Sequence, residues 1–351
     1  MKQTLRAVLS FSAVILGVLY LLTHAAEAAK SACDAMALSA SRVIPALFPL
    51  CVAAMFLCER AAAASWRFLS PLMRLFRLEA AAAPACILGW LCGFPVGAAL
   101  LSDLFSSGQI DKASAERALA FCTCASPAFT VQIAGMMLGS AGTGFLLWGV
   151  HLLSAFLTAI LTAQGAPCSK TRRIPHEKKP LPAAFTAAVQ RASMAMLHVC
   201  GFIVLFSVVI RLLEPLMRGN QALRAAAGAI LELTNGLQAL SACTLSPRGA
   251  FMLSAAALGW SGLCVHAQVI SFALPRGLSP YPYLRGKALH SALSLLAAIP
   301  VSRLLSQDAV QTAFAVHAPA LPLLHAGGLL LLFFYLLFEV LRSIMKKKHR
   351  G

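Results

Sequence analysis

A single carboxylate, Glu232, lies in an otherwise apolar stretch of the chain. Carboxylates inside a membrane are costly and usually mark a solute pathway, a proton relay or an ion site. The competing reading pairs Glu232 with Arg224 or Arg248 at the interface. His266 and Gln268 follow a Gly-containing interruption, Ser261-Gly262-Leu263-Cys264-Val265, and are placed to bind solute or carry protons. The alternative for His266 is a packed, hydrogen-bonded ring. His151, His198 and His290 have no motif around them and read as structural, and Glu339 near Arg342 reads as a snorkelling ion pair.

Four interruptions of apolar runs stand out: Gly93-Phe94-Pro95-Val96-Gly97, Thr123-Cys124-Ala125-Ser126-Pro127, Glu232-Leu233-Thr234-Asn235-Gly236 and Ser261 to His266. Irregular backbone at membrane depth is tolerated only beside protein or a water-filled cavity. Half-helix N-termini at such breaks aim N–H groups and a positive dipole end at the interruption, which suits an anion. The alternative is that Gly and Pro here allow kinks and close helix packing.

The elements that position these residues follow from composition. Of 351 residues 59% are hydrophobic and only 12% charged, too few charges to cover a water-exposed surface. Arg117 and Lys170 bracket 52 uncharged residues, room for two crossings of about 20 residues each. Continuous apolar runs exclude the alternating pattern of a membrane β-barrel. The net charge of +17 reads as Lys and Arg gathered in cytoplasmic loops rather than as a nucleic-acid surface. Lys170, Arg172, Arg173, Lys178 and Lys179 form one such group and Lys346 to Lys348 with Arg350 another, both placed to touch anionic headgroups. The 11 cysteines contain no CxxC pair, which predicts neither a disulfide framework nor a metal site. HExxH, Walker A, paired-aspartate and nucleophile-elbow motifs are absent, so the expectation is no enzyme and no cofactor.

The predicted fold is all-α: a polytopic transmembrane helical bundle of about eight spans plus re-entrant or broken helices. Residues 1–42 hold a first membrane helix, retained rather than cleaved, and an outer loop with Glu27, Lys30, Asp34 and Arg42. A first repeat occupies 43–165, a basic cytoplasmic linker 166–191, a second repeat 192–306, and a last helix with a basic tail 307–351. The stretch bearing Arg60, Arg67, Arg74 and Arg77 predicts an amphipathic interfacial helix. Charge parity makes the run at 80–102 re-entrant, puts both termini in the cytoplasm, and requires one of 225–247 and 249–275 to cross while the other turns back. Ser70-Pro71-Leu72-Met73-Arg74 echoes Glu214-Pro215-Leu216-Met217-Arg218, and Leu88-Gly89-Trp90 echoes Leu258-Gly259-Trp260, as in inverted repeats.

Arg42-Val43-Ile44-Pro45-Ala46-Leu47-Phe48-Pro49, Gly93-Phe94-Pro95-Val96-Gly97-Ala98, Glu232-Leu233-Thr234-Asn235-Gly236 and Gly262-Leu263-Cys264-Val265-His266-Ala267-Gln268 together resemble the YlbJ-type sporulation integral membrane proteins. That family carries nucleoside-recognition (Gate) domains. The resemblance runs over about residues 40 to 305, with the motifs in the same order. It implies a transporter in the mother-cell-derived membrane around the forespore, with dipicolinic acid as the solute. The family usually reads Gly-Tyr-Pro-x-Gly-Ala-Lys, where this chain has Phe94 and Ala99, and often has Asn before the Ser126-Pro127 pair, where this chain has Thr123 and Cys124.

The expected function is therefore translocation of a small anionic or aromatic solute. The breaks at Gly93–Gly97 and Ser261–His266 would converge on it, Thr123, Ser126, Thr234 and Asn235 would supply hydrogen bonds, and Glu232 a coupling proton or ion. A nucleoside-like solute carrier and a non-transporting scaffold for spore-envelope assembly are the alternatives. A homo-oligomer or a partner membrane subunit is open.

Overall fold

The computed structural model describes residues 2–60, 66, 68–164 and 180–305. The basic groups at 170–179 and 346–350, the last predicted helix and the Glu339–Arg342 pair lie outside the described residues.

Every regular element among the described residues is helical. α1 (Lys2–Thr23) and α2 (Ala25–Leu38) lead through a π-turn (Ser39–Val43) into α3 (Ile44–Arg60). The short α4 (Ser70–Leu75) precedes α5 (Ala83–Cys92) and α6 (Phe94–Ser106). α7 (Lys112–Cys122) continues after a break as α8 (Pro127–Phe129) and a π-turn (Thr130–Gly135), and α9 (Ala141–Ala163) returns. In the second half α10 (Leu181–Leu213) ends in a 3-10 turn (Glu214–Met217), followed by α11 (Gln221–Leu231), α12 (Leu233–Ser241), α13 (Pro247–Trp260), α14 (Gly262–Ala273) and α15 (Pro280–Ser302). By length and composition four helical stretches can cross a membrane: Lys112–Gly135, Ala141–Ala163, Leu181–Met217 and Pro247–Arg276. Shorter apolar helices cover Val14–Thr23, Leu47–Cys58, Ala80–Cys92 and Phe94–Ser106.

α10 serves as a ruler. Its two arginines, Arg191 and Arg211, stand 20 positions apart with no charge between them. At about 1.5 Å per residue that is about 30 Å, the thickness of the hydrocarbon core. Each arginine is paired at its own level. The Arg191 guanidinium donates to Asp103 at 3.0 Å, and Arg211 pairs with Glu214 and, at 3.8 Å, with Glu27. At the Arg191 level Arg276 also donates to Asp103 at 2.8 Å. Backbone N–H groups of Asp111 and Ser279 donate to Glu79 and Glu116 at 2.8 and 2.7 Å. Leu197 and Leu205, between the arginines, are exposed, as are Phe11, Leu16 and Leu22 on α1. Large apolar side chains left open along whole helices fit a lipid surround, where burial brings no gain.

Two helical hairpins approach the middle from opposite ends of this ruler. The first, α5–α6, has Glu79 and Asp103 at its feet, in the Arg191 layer. Its arms cross where a Cβ on Gly97 would stand 2.7 Å from the Cys122 carbonyl and 3.2 Å from the Gly89 Cα, a contact closed to any larger residue. The second, α11–α12, hangs from the Arg211 end of α10, and a Cβ on Gly228 would lie 2.8 Å from the Gly236 Cα. Of the two runs in question, 225–247 therefore doubles back, while 249–275 belongs to the long stretch Pro247–Arg276. In each half the order is hairpin, interrupted helix, returning helix.

Three expectations need correction. The segment around Glu27 and Asp34 is not a loop. Its Ala-rich sequence forms α2, whose small side chains let it lie along α10. Among the described residues the arginine-bearing stretch is not one α-helix: Arg60 ends α3, and Arg74 lies in the six-residue α4, which stops at the turn of Phe76 and Arg77 (φ 52). The two Leu-Gly-Trp tripeptides are not equivalent in element order: the first lies on a hairpin arm, α5, the second on the interrupted helix, α13.

Candidate functional site

Each hairpin tip is packed against the break of the interrupted helix in its own half. Gly93, with φ 99, occupies a region closed to most side chains, and a Cβ there would meet Ser126 at 3.3 Å. A Cβ on Gly262 would lie 3.2 Å from the Leu233 nitrogen and 3.5 Å from the Glu232 Cα. Ser261 takes φ 78 as a non-glycine residue, with its hydroxyl donating to the Leu258 carbonyl at 3.0 Å. Such local strain persists only where surrounding packing enforces it.

Breaks leave helix ends short of hydrogen-bond partners. Two C-terminal carbonyls are answered by indoles: Trp90 donates to Phe121 at 2.8 Å and Trp260 to Ile230 at 3.4 Å. This is the service the two tripeptides share. Two of the four half-helix N-termini are closed by the chain itself. Ser126 caps α8, with Pro127 in its first turn, by accepting from the Phe129 N–H at 3.2 Å. The Glu232 carboxylate accepts from the backbone N–H of Thr234 at 3.0 Å and of Asn235 at 2.8 Å, and from the Asn235 amide at 2.8 Å. Its partners are thus the first turn of α12 rather than Arg224 or Arg248, and it fills the dipole end where an anion would otherwise sit. The remaining two N-termini, of α6 at Gly93 and of α14 at Ser261, have no side-chain cap. These two half-helices pack side by side.

Beside them lies a buried polar group that the motifs did not announce. Along α15 the buried face carries Tyr283, Gly286, Lys287, His290, Ser294 and Ala298, a helical stripe. Lys287 is fully buried; its Nζ donates to the Thr123 carbonyl at 3.2 Å and to His290 Nδ1 at 3.2 Å, and stands 5.9 Å from the centre of the Phe94 ring. His290 Nε2 donates to the His151 carbonyl at 3.0 Å, and the Ala125 N–H donates to His151 Nε2 at 3.0 Å. The two imidazoles stack at 4.5 Å. His266 Nδ1 meets the Tyr283 hydroxyl at 2.8 Å, and Trp260 stands edge-on to the His266 ring. Two ring nitrogens in this cluster, His151 Nδ1 and His266 Nε2, are buried without a partner.

The predicted site residues thus fall into two linked groups. In the first Gly93 packs on Ser126, and the neighbouring Phe94 and Thr123 meet Lys287. Glu232, Thr234 and Asn235 form the second hairpin tip, against Ser261 and Gly262. His266, on α14, joins the groups through Tyr283. Pro95 lies in the first turn of α6, Gly97 and Gly236 are hairpin crossings, and Gln268 turns its amide to the Cys264 sulfur at 3.4 Å. His151 and His290, read as structural, sit at the first break, and Lys287 and Tyr283 were missed. The helix begins at Pro280, which puts Lys287 well inside it. The repeating polar stripe Tyr283, Lys287, His290, Ser294 was the available signal.

Cys124, His151 and His290 hold their ligand atoms within 4.8 Å of one another, the spacing of a metal site. The hydrogen bonds argue otherwise. The His151 Nε2 lone pair receives the Ala125 N–H, the His290 Nδ1 lone pair receives Lys287, and Cys124 Sγ donates to the Phe121 carbonyl at 3.2 Å. The site is closed: Thr123, Ser261 and Lys287 have no exposure, and an open apolar groove of about 500 Å³ lies elsewhere, between α11, α12 and α13.

Among curated proteins the chain is similar to the sporulation integral membrane protein YlbJ of Bacillus subtilis (strain 168), at 27% identity over 241 residues. The alignment covers 57% of this chain and 59% of that protein, so the chain spans less than two thirds of its relative's length. No family model matches the chain, and no solved structure matches it. With its apolar helices, this makes the chain an integral membrane protein related to a sporulation integral membrane protein.

Proposed function

We propose that the chain is a membrane transporter, not an enzyme, that moves a small organic anion through the space between its hairpin tips. One observation carries the reading. The half-helices α6 and α14, both with uncapped N-termini, pack side by side, a buried lysine stands against Phe94 at the start of α6, and both dipole ends favour negative charge. Hairpins entering from opposite ends of the α10 ruler support two inverted repeats, the construction of many secondary carriers with a site at mid-depth. About eight spans then follow if α1, α3, α15 and the C-terminal apolar stretch cross as well. Thr123, Ser261 and Lys287 have no exposed surface, so we read the described state as an occluded one, and alternating access requires the hairpin tips to part from the breaks they plug.

The relative's name brings sporulation, and the resemblance brings the forespore membrane and dipicolinic acid, an aromatic dicarboxylate. Thr123, Ser126 and His266 are the groups we assign to the solute. Thr234 and Asn235 act instead through Glu232. We assign the Arg191 layer to the cytoplasmic face, where anionic headgroups would meet it.

The test is flux in liposomes containing the full chain, with labelled dipicolinate and uridine supplied separately. Dipicolinate uptake above that of protein-free liposomes, exceeding uridine uptake, is the expected result. Uridine uptake alone would move the solute class to nucleosides, and no uptake of either would reject transport in favour of a scaffold.

A further inference from the structure

Lys287 is an amine with no exposed surface, and its hydrogen-bond partners among the described residues are neutral. The groups around it are Cys122, Thr123 and Cys124 from the end of α7, His151 from α9, His266 from α14, Phe94 from α6 and His290 on its own helix, with Tyr283 one turn earlier bonded to His266. Among the described residues no carboxylate pairs with Nζ, although Asp103, Glu79, Glu116 and Glu232 all engage N–H groups or arginines elsewhere. A buried cation without a counter-charge is unfavourable, and an arriving anion removes that penalty. Two N–H groups of Lys287 are spent on Thr123 and His290. The protonated side chain has a third, and the partnerless nitrogens of His151 and His266 belong to the same cluster.

From this geometry, and resting on the transport reading above, we propose that Lys287 is the anion anchor of the site. An acidic group of the solute binds Nζ at the first break, between the uncapped N-termini of α6 and α14. An aromatic solute then packs against Phe94, whose ring already faces the ammonium. Charge selectivity accordingly comes from α15, outside both hairpins. Coordination of a transition metal by Cys124, His151 and His290 is the competing use of the cluster, and it requires the His290 lone pair that Lys287 occupies.

The experiment is equilibrium dialysis of labelled dipicolinate against the full chain in detergent, for the wild type and for Lys287→Arg, Lys287→Met and Lys287→Gln. Met keeps the length of the side chain and Gln keeps an N–H donor, so either of the two that retains a cooperative thermal transition carries the comparison. We expect binding by the wild type, at least tenfold weaker binding by the Met or Gln variant, and most of the affinity kept by Arg. Equal affinity of wild type and the neutral variant would overturn the anchor, as would no binding by the wild type. Zinc binding that Cys124→Ser abolishes would overturn it too. The two readings separate cleanly. Lys287-dependent binding without liposome flux removes transport and keeps the anchor, whereas flux with unchanged affinity in Lys287→Met does the reverse.

Discussion

Glu232 and Lys287 are both buried, and their surroundings differ in kind. The carboxylate is satisfied by three N–H groups at the start of α12, whereas the amine meets only neutral groups. Glu232 is therefore first a structural cap. Glu232→Ala leaves the Thr234 and Asn235 N–H groups bare in the interior, and we expect a loss of about 1–3 kcal/mol, read as a lowered unfolding midpoint in detergent. Glu232→Gln keeps an acceptor and should lose less. If Glu232 also carries a coupling proton, Glu232→Gln will fold well yet transport poorly, and normal flux in that variant would leave only the cap. Legibility in the sequence tracked isolation: one charge in an apolar run was visible, while Lys287, with Arg285 two residues before it, was not.

The hairpins are held by a glycine on each arm, four residues to either side of the tip: Gly89 and Gly97 about Gly93, Gly228 and Gly236 about Glu232. Gly228 was not singled out in the sequence, because one glycine in an Ala-rich helix carries no signal until its partner across the turn is known. Adding a methyl at Gly97 or Gly228 sets it under 3.0 Å from backbone, which cannot yield as a side chain end can. Gly97→Ala and Gly228→Ala should each cost about 1–3 kcal/mol by overpacking. Gly149 and Gly201, with nothing within 4 Å of an added Cβ, are the controls, and Ala there should be neutral or stabilising by about 0.5–1 kcal/mol. Thermal unfolding of the four variants decides between a packed crossing and a merely flexible one.

For the whole molecule, the paired arginines of α10 mark two polar layers, and the hairpins belong to opposite ones. A cysteine at Ser107, at the foot of the first hairpin, and one at Asn220, at the foot of the second, should react with a membrane-impermeant maleimide from opposite sides. The background needs the exposed Cys33 replaced. Labelling of both from one side would refute the inverted arrangement. Asp103 ties α6 to α10 and to the turn after α14 through Arg191 and Arg276, both partly exposed. Asp103→Asn should therefore cost only about 1 kcal/mol, and less at high salt.

Composition and charge spacing alone determined that this chain is helical and membrane-embedded, because lipid admits few ways to satisfy the backbone and 52 uncharged residues admit no water-exposed surface. Gly, Pro and the lone Glu232 also marked where helices break, since those residues change the local backbone or carry a charge wherever they are. Which breaks face each other, which run turns back, and that Lys287 and two histidines stand between them were decided by tertiary packing. Those contacts join residues more than 100 positions apart, such as Lys287 with Thr123 and His290 with His151, and in a uniformly apolar chain no local pattern records them.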